Sequence, residues 1–326
     1  MLMTSVIQPE VFDRTHFSTS GYRDQVEMFL RGIQSNGLLI VDPNSRLLKE
    51  INDRLELLST KDGQQLQIRL AELQKKERRR ILAAEKTTCS CPTSLSLLEA
   101  AKTVQAASNT DTIIADAESC EQLLSAGHAA KSVTRLGAYL SSDFERKRLY
   151  CLEEIPPIDK MAVGEFDTQM ISVTRFAKRV RFYDKQIGKG SSLGGFHAGI
   201  GRILSLWVAN AHYPRTELSA EIYTCVQRTH APTDMVYSKI IASLVRKLAS
   251  DNDLPITFYF KEDSPSLITH DRFLQTDSVP VSFSKGFDYM EKDGTLQRCA
   301  VKIDNGAYEH LQEYRNLKNF KSPTTI

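Results

Sequence analysis

The densest run of side chains able to do chemistry is His270-Asp271-Arg272-Phe273-Leu274-Gln275-Thr276-Asp277, followed by Ser282-Phe283-Ser284-Lys285-Gly286. On an extended strand, residues i and i+2 point to one face, so His270 and Arg272 can reach a single phosphate. A neutral imidazole can attack phosphorus, and a cation beside it stabilises charge on the non-bridging oxygens. Arginine can grip phosphate bidentately. Asp277 and Ser284, close by in the chain, are expected to orient or neighbour the pair.

A second set is acidic. Gly37-Leu38-Leu39-Ile40-Val41-Asp42 sets a carboxylate at the end of an apolar run, and Glu50 follows two helical turns later. Glu99 lies in an alanine-rich stretch, and Asp116 ends the run Asp111-Thr112-Ile113-Ile114-Ala115-Asp116. Strand-end aspartates at the carboxyl edge of a parallel sheet can converge on one crevice. Such oxygens would bind Mg²⁺ or Mn²⁺, and the metal would activate water for phosphodiester cleavage. Asp53, Glu56, Asp111 and Glu118 are neighbours that would fill the same pattern, and helix caps or solvated carboxylates account for it without a metal.

Other signals read more plainly. The stretch Gly194-Gly195-Phe196-His197-Ala198-Gly199 opens a helix but completes no phosphate-loop pattern, and its glycines imply close packing. Cys89 and Cys91 form a lone C-x-C with no second ligand pair, which reads as ordinary loop cysteines. The charge run Lys75 to Arg80 reads as a solvated helix face. Lys178, Arg179, Arg181, Lys185 and Lys189 could flank a nucleic acid, as could any basic surface cluster.

These residues need elements to position them. In the amino-terminal half a helix is expected over Tyr22 to Gln34 and a buried strand over Gly37 to Val41. A helix capped by Asn44 or Ser45 then runs to about Leu58. Thr60 to Lys86 is helical in composition, Leu95 to Ala107 is a helix, Asp111 to Asp116 a buried strand, and Ser119 to Ser125 a helix. Paired prolines at Pro156-Pro157 mark a break. The second half alternates again. Strands are expected at Arg179 to Asp184, Glu221 to Val226 and Ile256 to Phe260, and helices at Leu193 to Ala211 and Met235 to Ala249. Two short strands, Thr269 to Gln275 and Pro280 to Phe283, complete it. The expected architecture is α/β, in two domains spanning 1–152 and 172–320.

The histidine segment resembles the phospholipase D superfamily signature, H-x-K-x4-D with a downstream serine and glycine, with arginine in place of lysine. That resemblance implies a phospholipase D-like α/β domain and a phosphohistidine mechanism needing no cofactor. One histidine attacks and another protonates the leaving group. A single motif implies a homodimer that completes the site. Arginine and the single copy also suit relatives that only bind, such as the carboxy-terminal domains of membrane-remodelling proteins with microtubule-interacting and trafficking modules. Those dimerise and bind lipid. The acidic order is similar to that of PIN-domain ribonucleases, which implies a three-layer α/β fold and a Mg²⁺ or Mn²⁺ site. Together the resemblances imply a nuclease-like phosphodiesterase, with nucleic acid as a partner and a phosphate- or lipid-headgroup-binding adaptor as the alternative. Domains of these kinds occur in prokaryotic defence against phage. In the simplest alternative, His270 and Arg272 merely pair with carboxylates on a sheet edge.

Composition sets the bounds. The chain has 326 residues, 41% of them hydrophobic and 25% charged, which is enough to bury more than one core. A formal charge of +2 makes the whole molecule no magnet for nucleic acid, so any attraction to phosphates must be local. No run approaches the roughly 20 apolar residues that span a bilayer. The amino terminus lacks a signal-peptide core, and six cysteines are too sparse for a disulfide framework. A cytoplasmic setting is expected.

Overall fold

The computed structural model describes residues 2–58, 60–75, 79–86, 88–152, 162–187, 193–226, 231–262, 272–291, 293–297, 299–320 and 322–326. The chain divides into two compact units, Met1–Glu153 and Glu154–Ile326, each of α/β type. The division adjoins the expected boundary at Leu152.

The first unit is built on a five-stranded, all-parallel sheet. Its strands are β1 (Met3–Ile7), β2 (Gly37–Val41), β3 (Ile81–Ala83), β4 (Thr112–Ala115) and β5 (Val133–Arg135), in the order β3-β2-β1-β4-β5. Helices α1 (Tyr22–Asn36), α2 (Arg46–Glu56), α3 (Thr60–Leu73), α4 (Leu97–Ser108), α5 (Ala117–Ser125) and α6 (Asp143–Tyr150) complete it. The central strand, β1, is not among the expected elements. Its sequence Met-Thr-Ser-Val-Ile mixes in hydroxyls, yet every residue is buried. Those hydroxyls are satisfied locally: Thr4 Oγ1 donates to Asp111 Oδ2 at 2.9 Å, and Ser5 Oγ lies 3.5 Å from the Leu38 carbonyl. Thr60 to Lys86 is also not one helix. Its end turns into β3, whose Ile81 and Leu82 are buried against Leu39 and Ile40 of β2.

The second unit carries a seven-stranded mixed sheet. Helix α7 (Val163–Thr174) precedes it, so the unit starts before the expected Ser172. Strands β6 (Arg179–Tyr183), β7 (Ser219–Val226) and β8 (Ile256–Glu262) run parallel. They are linked by helices α8 (Leu193–Asn210) and α9 (Ala231–Asn252). On one side, β9 (Arg272–Gln275), β10 (Pro280–Phe283) and β11 (Val301–Ile303) add antiparallel strands. On the other, after helix α10 (Tyr308–Asn316), β12 (Thr324–Thr325) pairs antiparallel with β8. One sheet face stacks Tyr183, Tyr223 and Tyr259 across three strands, with centroids 4.7 and 4.4 Å apart. Leu311 and Tyr314 of α10 cover this ladder. Trp207 of α8 is fully buried and donates to the Ala177 carbonyl at 3.0 Å. Among the described residues no helix is long and apolar enough to cross a membrane.

Candidate functional site

Strand register brings the site together. Tyr183 pairs with Phe273 in the antiparallel β6–β9 ladder, so the next step sets Asp184 opposite Arg272. Phe283 of β10 pairs with Arg272 from the other side, which puts Ser284 beside it. The result lies at the carboxyl edge of the parallel strands β6 and β7, where α/β sheets commonly bind ligands.

Arg272 holds its Nε 3.7 Å from Asp184 Oδ1, and its Nη1 lies 3.4 Å from the Ser284 carbonyl. The Asp184 side chain is wholly buried, while that of Arg272 is 13% exposed. Asp184 Oδ1 accepts the Gln186 N–H at 2.7 Å, and Oδ2 lies 3.4 Å from the Phe287 nitrogen. Burial pushes the Asp184 carboxyl up to about 6, against the pull of the Gln186 N–H and the Arg272 guanidinium. Asp288 adds a second carboxylate nearby and raises it further.

The segment after β10 closes over this pair. Gly286 has φ +105°, and a Cβ there would come within 3.0 Å of Asp184 Oδ2, 3.1 Å of Asp288 Oδ1 and 3.4 Å of Arg272 Nε. Helix α8 backs the segment. Gly199 has no room for a Cβ, which would meet the Phe287 carbonyl oxygen at 2.0 Å, and its own carbonyl accepts the Tyr289 hydroxyl at 2.9 Å. The glycine-rich stretch is thus close packing, as its pattern implies. His197 lies at the surface instead, with Nε2 2.9 Å from Asp251 Oδ2.

Of the four residues expected in this site, the structure joins two. Ser284 meets Arg272 through its carbonyl, while its hydroxyl accepts the Ala300 N–H at 2.9 Å. Asp277 does not join them. Strand β9 runs from Arg272 to Gln275, so Asp277 lies beyond its far end. Its Oδ2 accepts the N–H groups of Lys178 and Arg179 at 2.8 and 3.0 Å, which secures the start of β6. His270 lies outside the described residues. Asp184 and Asp288 are the members that motif spacing misses. Asp184 carries the one legible signal, an acidic residue at the end of an expected strand.

In the first unit the four expected metal ligands are held in separate local roles. Asp42 is buried, and its carboxylate accepts the N–H groups of Asn44, Arg46 and Leu47 at 3.2, 3.0 and 2.7 Å. It therefore caps α2 in place of Asn44 or Ser45. Asp116 caps α5, accepting the Ser119 N–H at 2.7 Å. Glu99 pairs with Lys102 at 2.9 Å one turn along α4, and Glu50 lies partly exposed on α2. Among the described residues no group of three or more His, Cys, Asp or Glu side chains is placed to hold a metal ion. Cys89 and Cys91 bring their sulfurs to 3.5 Å, and burial pushes the Cys89 thiol up to about 12.

No protein-family model and no curated protein matches this chain.

Proposed function

We propose that this chain is a nuclease-like protein that cleaves phosphodiesters of nucleic acid. In this reading Arg272 holds the phosphate, Asp184 orients Arg272, and His270 acts as nucleophile or general acid. A second copy of the chain supplies the other histidine. The observation that carries the reading is the Arg272 guanidinium, anchored by a buried carboxylate at the carboxyl edge of parallel strands beneath a left-handed glycine. An arginine fixed in this way loses little freedom when it binds an anion. The six cysteines form no disulfide, which suits a reducing compartment such as the cytoplasm.

One observation favours a second reading, a dimeric module that binds phosphate or a lipid headgroup without breaking it. Arg272 is largely buried and already faces a carboxylate, which lowers the positive charge offered to an incoming phosphate.

The deciding experiment is cleavage of labelled single-stranded RNA, single-stranded DNA and duplex DNA, each with Mn²⁺ and with EDTA. Cleavage that survives EDTA and disappears in His270→Ala supports the phosphohistidine reading. Cleavage that needs Mn²⁺ and is lost in Glu99→Gln, which leaves both helix caps intact, moves the chemistry to the first unit with a Mg²⁺- or Mn²⁺-type site. Absence of cleavage, with vesicles carrying anionic headgroups bound by a sedimenting dimer, establishes the adaptor.

A further inference from the structure

The strand order of the first unit reverses direction at β1: the chain builds β2 and β3 on one side, then β4 and β5 on the other. In open parallel sheets the crevice beyond the carboxyl ends at such a reversal receives ligands. A cavity of about 210 Å³ lies there. Asp116 follows β4 and Arg135 ends β5, while His16, Thr19, Ser20 and Tyr22 line the cavity from the segment leading into α1. Its volume is below the roughly 300–1,000 Å³ of pockets for drug-sized ligands, and suits a phosphate with a sugar-sized group attached.

The charges differ in how they are used. Asp116 gives one oxygen to the α5 cap, and the other faces His16 Nε2 at 3.9 Å. Tyr22 stacks on the His16 ring at 5.2 Å and donates its hydroxyl to the Val11 carbonyl at 2.9 Å, so the imidazole rests on a fixed wall. Arg135 is exposed, and among the described residues it forms no ion pair with a carboxylate. The exposed guanidinium thus stands with an imidazole and two hydroxyls around one concave site, in which Asp116 is the one carboxylate of the lining and faces the imidazole.

We propose that this pocket binds the phosphate group of a small phosphorylated molecule, with Arg135 and His16 as its principal donors and the hydroxyls of Thr19 and Ser20 at its rim. A phosphate presents enough acceptor oxygens to engage the guanidinium fork and a second donor together. The pocket belongs to the first unit, and its ligand is independent of any reaction at Arg272.

The test is calorimetric titration of the full chain with ribose 5-phosphate, inorganic phosphate and ribose. The two phosphates are expected to bind and ribose is not. Tighter binding of ribose 5-phosphate identifies a sugar phosphate as the ligand class, and equal binding identifies phosphate alone. Arg135→Gln should weaken binding roughly tenfold or more, the ratio lost with one charge-assisted hydrogen bond. As Arg135 is exposed, its melting temperature should be unchanged. His16→Gln should weaken binding in the same direction. Arg272→Gln removes the phosphate contact proposed for the second unit, so the binding that remains in it, and that is lost when Arg135→Gln is added, belongs to this pocket. The proposal fails if ribose binds as well as its phosphate, or if neither phosphate binds at millimolar concentration. It also fails if affinity survives Arg135→Gln and is lost in Arg272→Gln.

Discussion

Replacing Asp184 with asparagine tests the central feature of the second unit, a carboxylate whose burial outweighs its arginine. The folded carboxyl is held at about 6 against an ordinary 3.8. Between those values the folded state keeps a proton that the unfolded chain has released, so stability falls as pH rises. The contribution is fully present below 3.8 and is lost as pH passes through about 6. At 1.36 kcal/mol per pH unit the difference comes to about 3 kcal/mol. Asparagine cannot titrate, so the variant should lack this slope. The assay is urea unfolding at a series of pH values from about 4 to about 7, followed by the fluorescence of Trp207, the only tryptophan. Because Trp207 is buried within the second unit, it reports that unit's unfolding. The wild-type chain should lose about 3 kcal/mol more than Asp184→Asn across this range. Parallel pH slopes would refute the reasoning. The same result would follow if Arg272 outweighed burial, since a carboxyl that titrates below 3.8 in the folded state has released its proton before this range begins.

Further expectations follow from individual contacts. Gly286→Ala forces a Cβ onto a left-handed backbone against Asp184, Asp288 and Arg272, and should lower second-unit stability by about 2–3 kcal/mol in the same urea assay. Asp277→Ala strips the acceptor from the N–H groups of Lys178 and Arg179, costing about 1–3 kcal/mol of stability. Its phosphate affinity, measured at a temperature where it is folded, should be unchanged. A role in phosphate chemistry would show the reverse. Asp42→Ala removes the carboxylate that caps α2, and should lower first-unit stability by about 1–2 kcal/mol, read by far-ultraviolet circular dichroism during unfolding.

Much of the framework is legible in the residues because burial imposes simple patterns. Gly37–Val41 and Thr112–Ala115 are continuous apolar or small runs, as central strands of a parallel sheet must be, and both are strands. The break at the paired prolines adjoins the division between the units, and the helix starting at Tyr22 stands where its composition puts it. Met3–Ile7 escapes notice because two of its five residues carry hydroxyls, and only neighbouring strands show that Asp111 and the Leu38 carbonyl accept them. Ile81–Ala83 escapes for a related reason. Three residues following a charge run carry no period of their own, and pairing with β2 makes them a strand.

Sequence alone determined the alternation of helices and strands in this protein and the presence of a histidine–arginine pair at strand spacing, because both depend on local periodicity and residue chemistry. Tertiary structure alone decided which charges meet. Asp277, near Arg272 in the chain, is carried to the far end of β9 to secure the start of β6. Asp184, distant in the chain, is set against Arg272 by the antiparallel register of β6 and β9. Electrostatic interaction depends on distance through space and on burial, and both are properties of the packed sheet rather than of spacing along the chain.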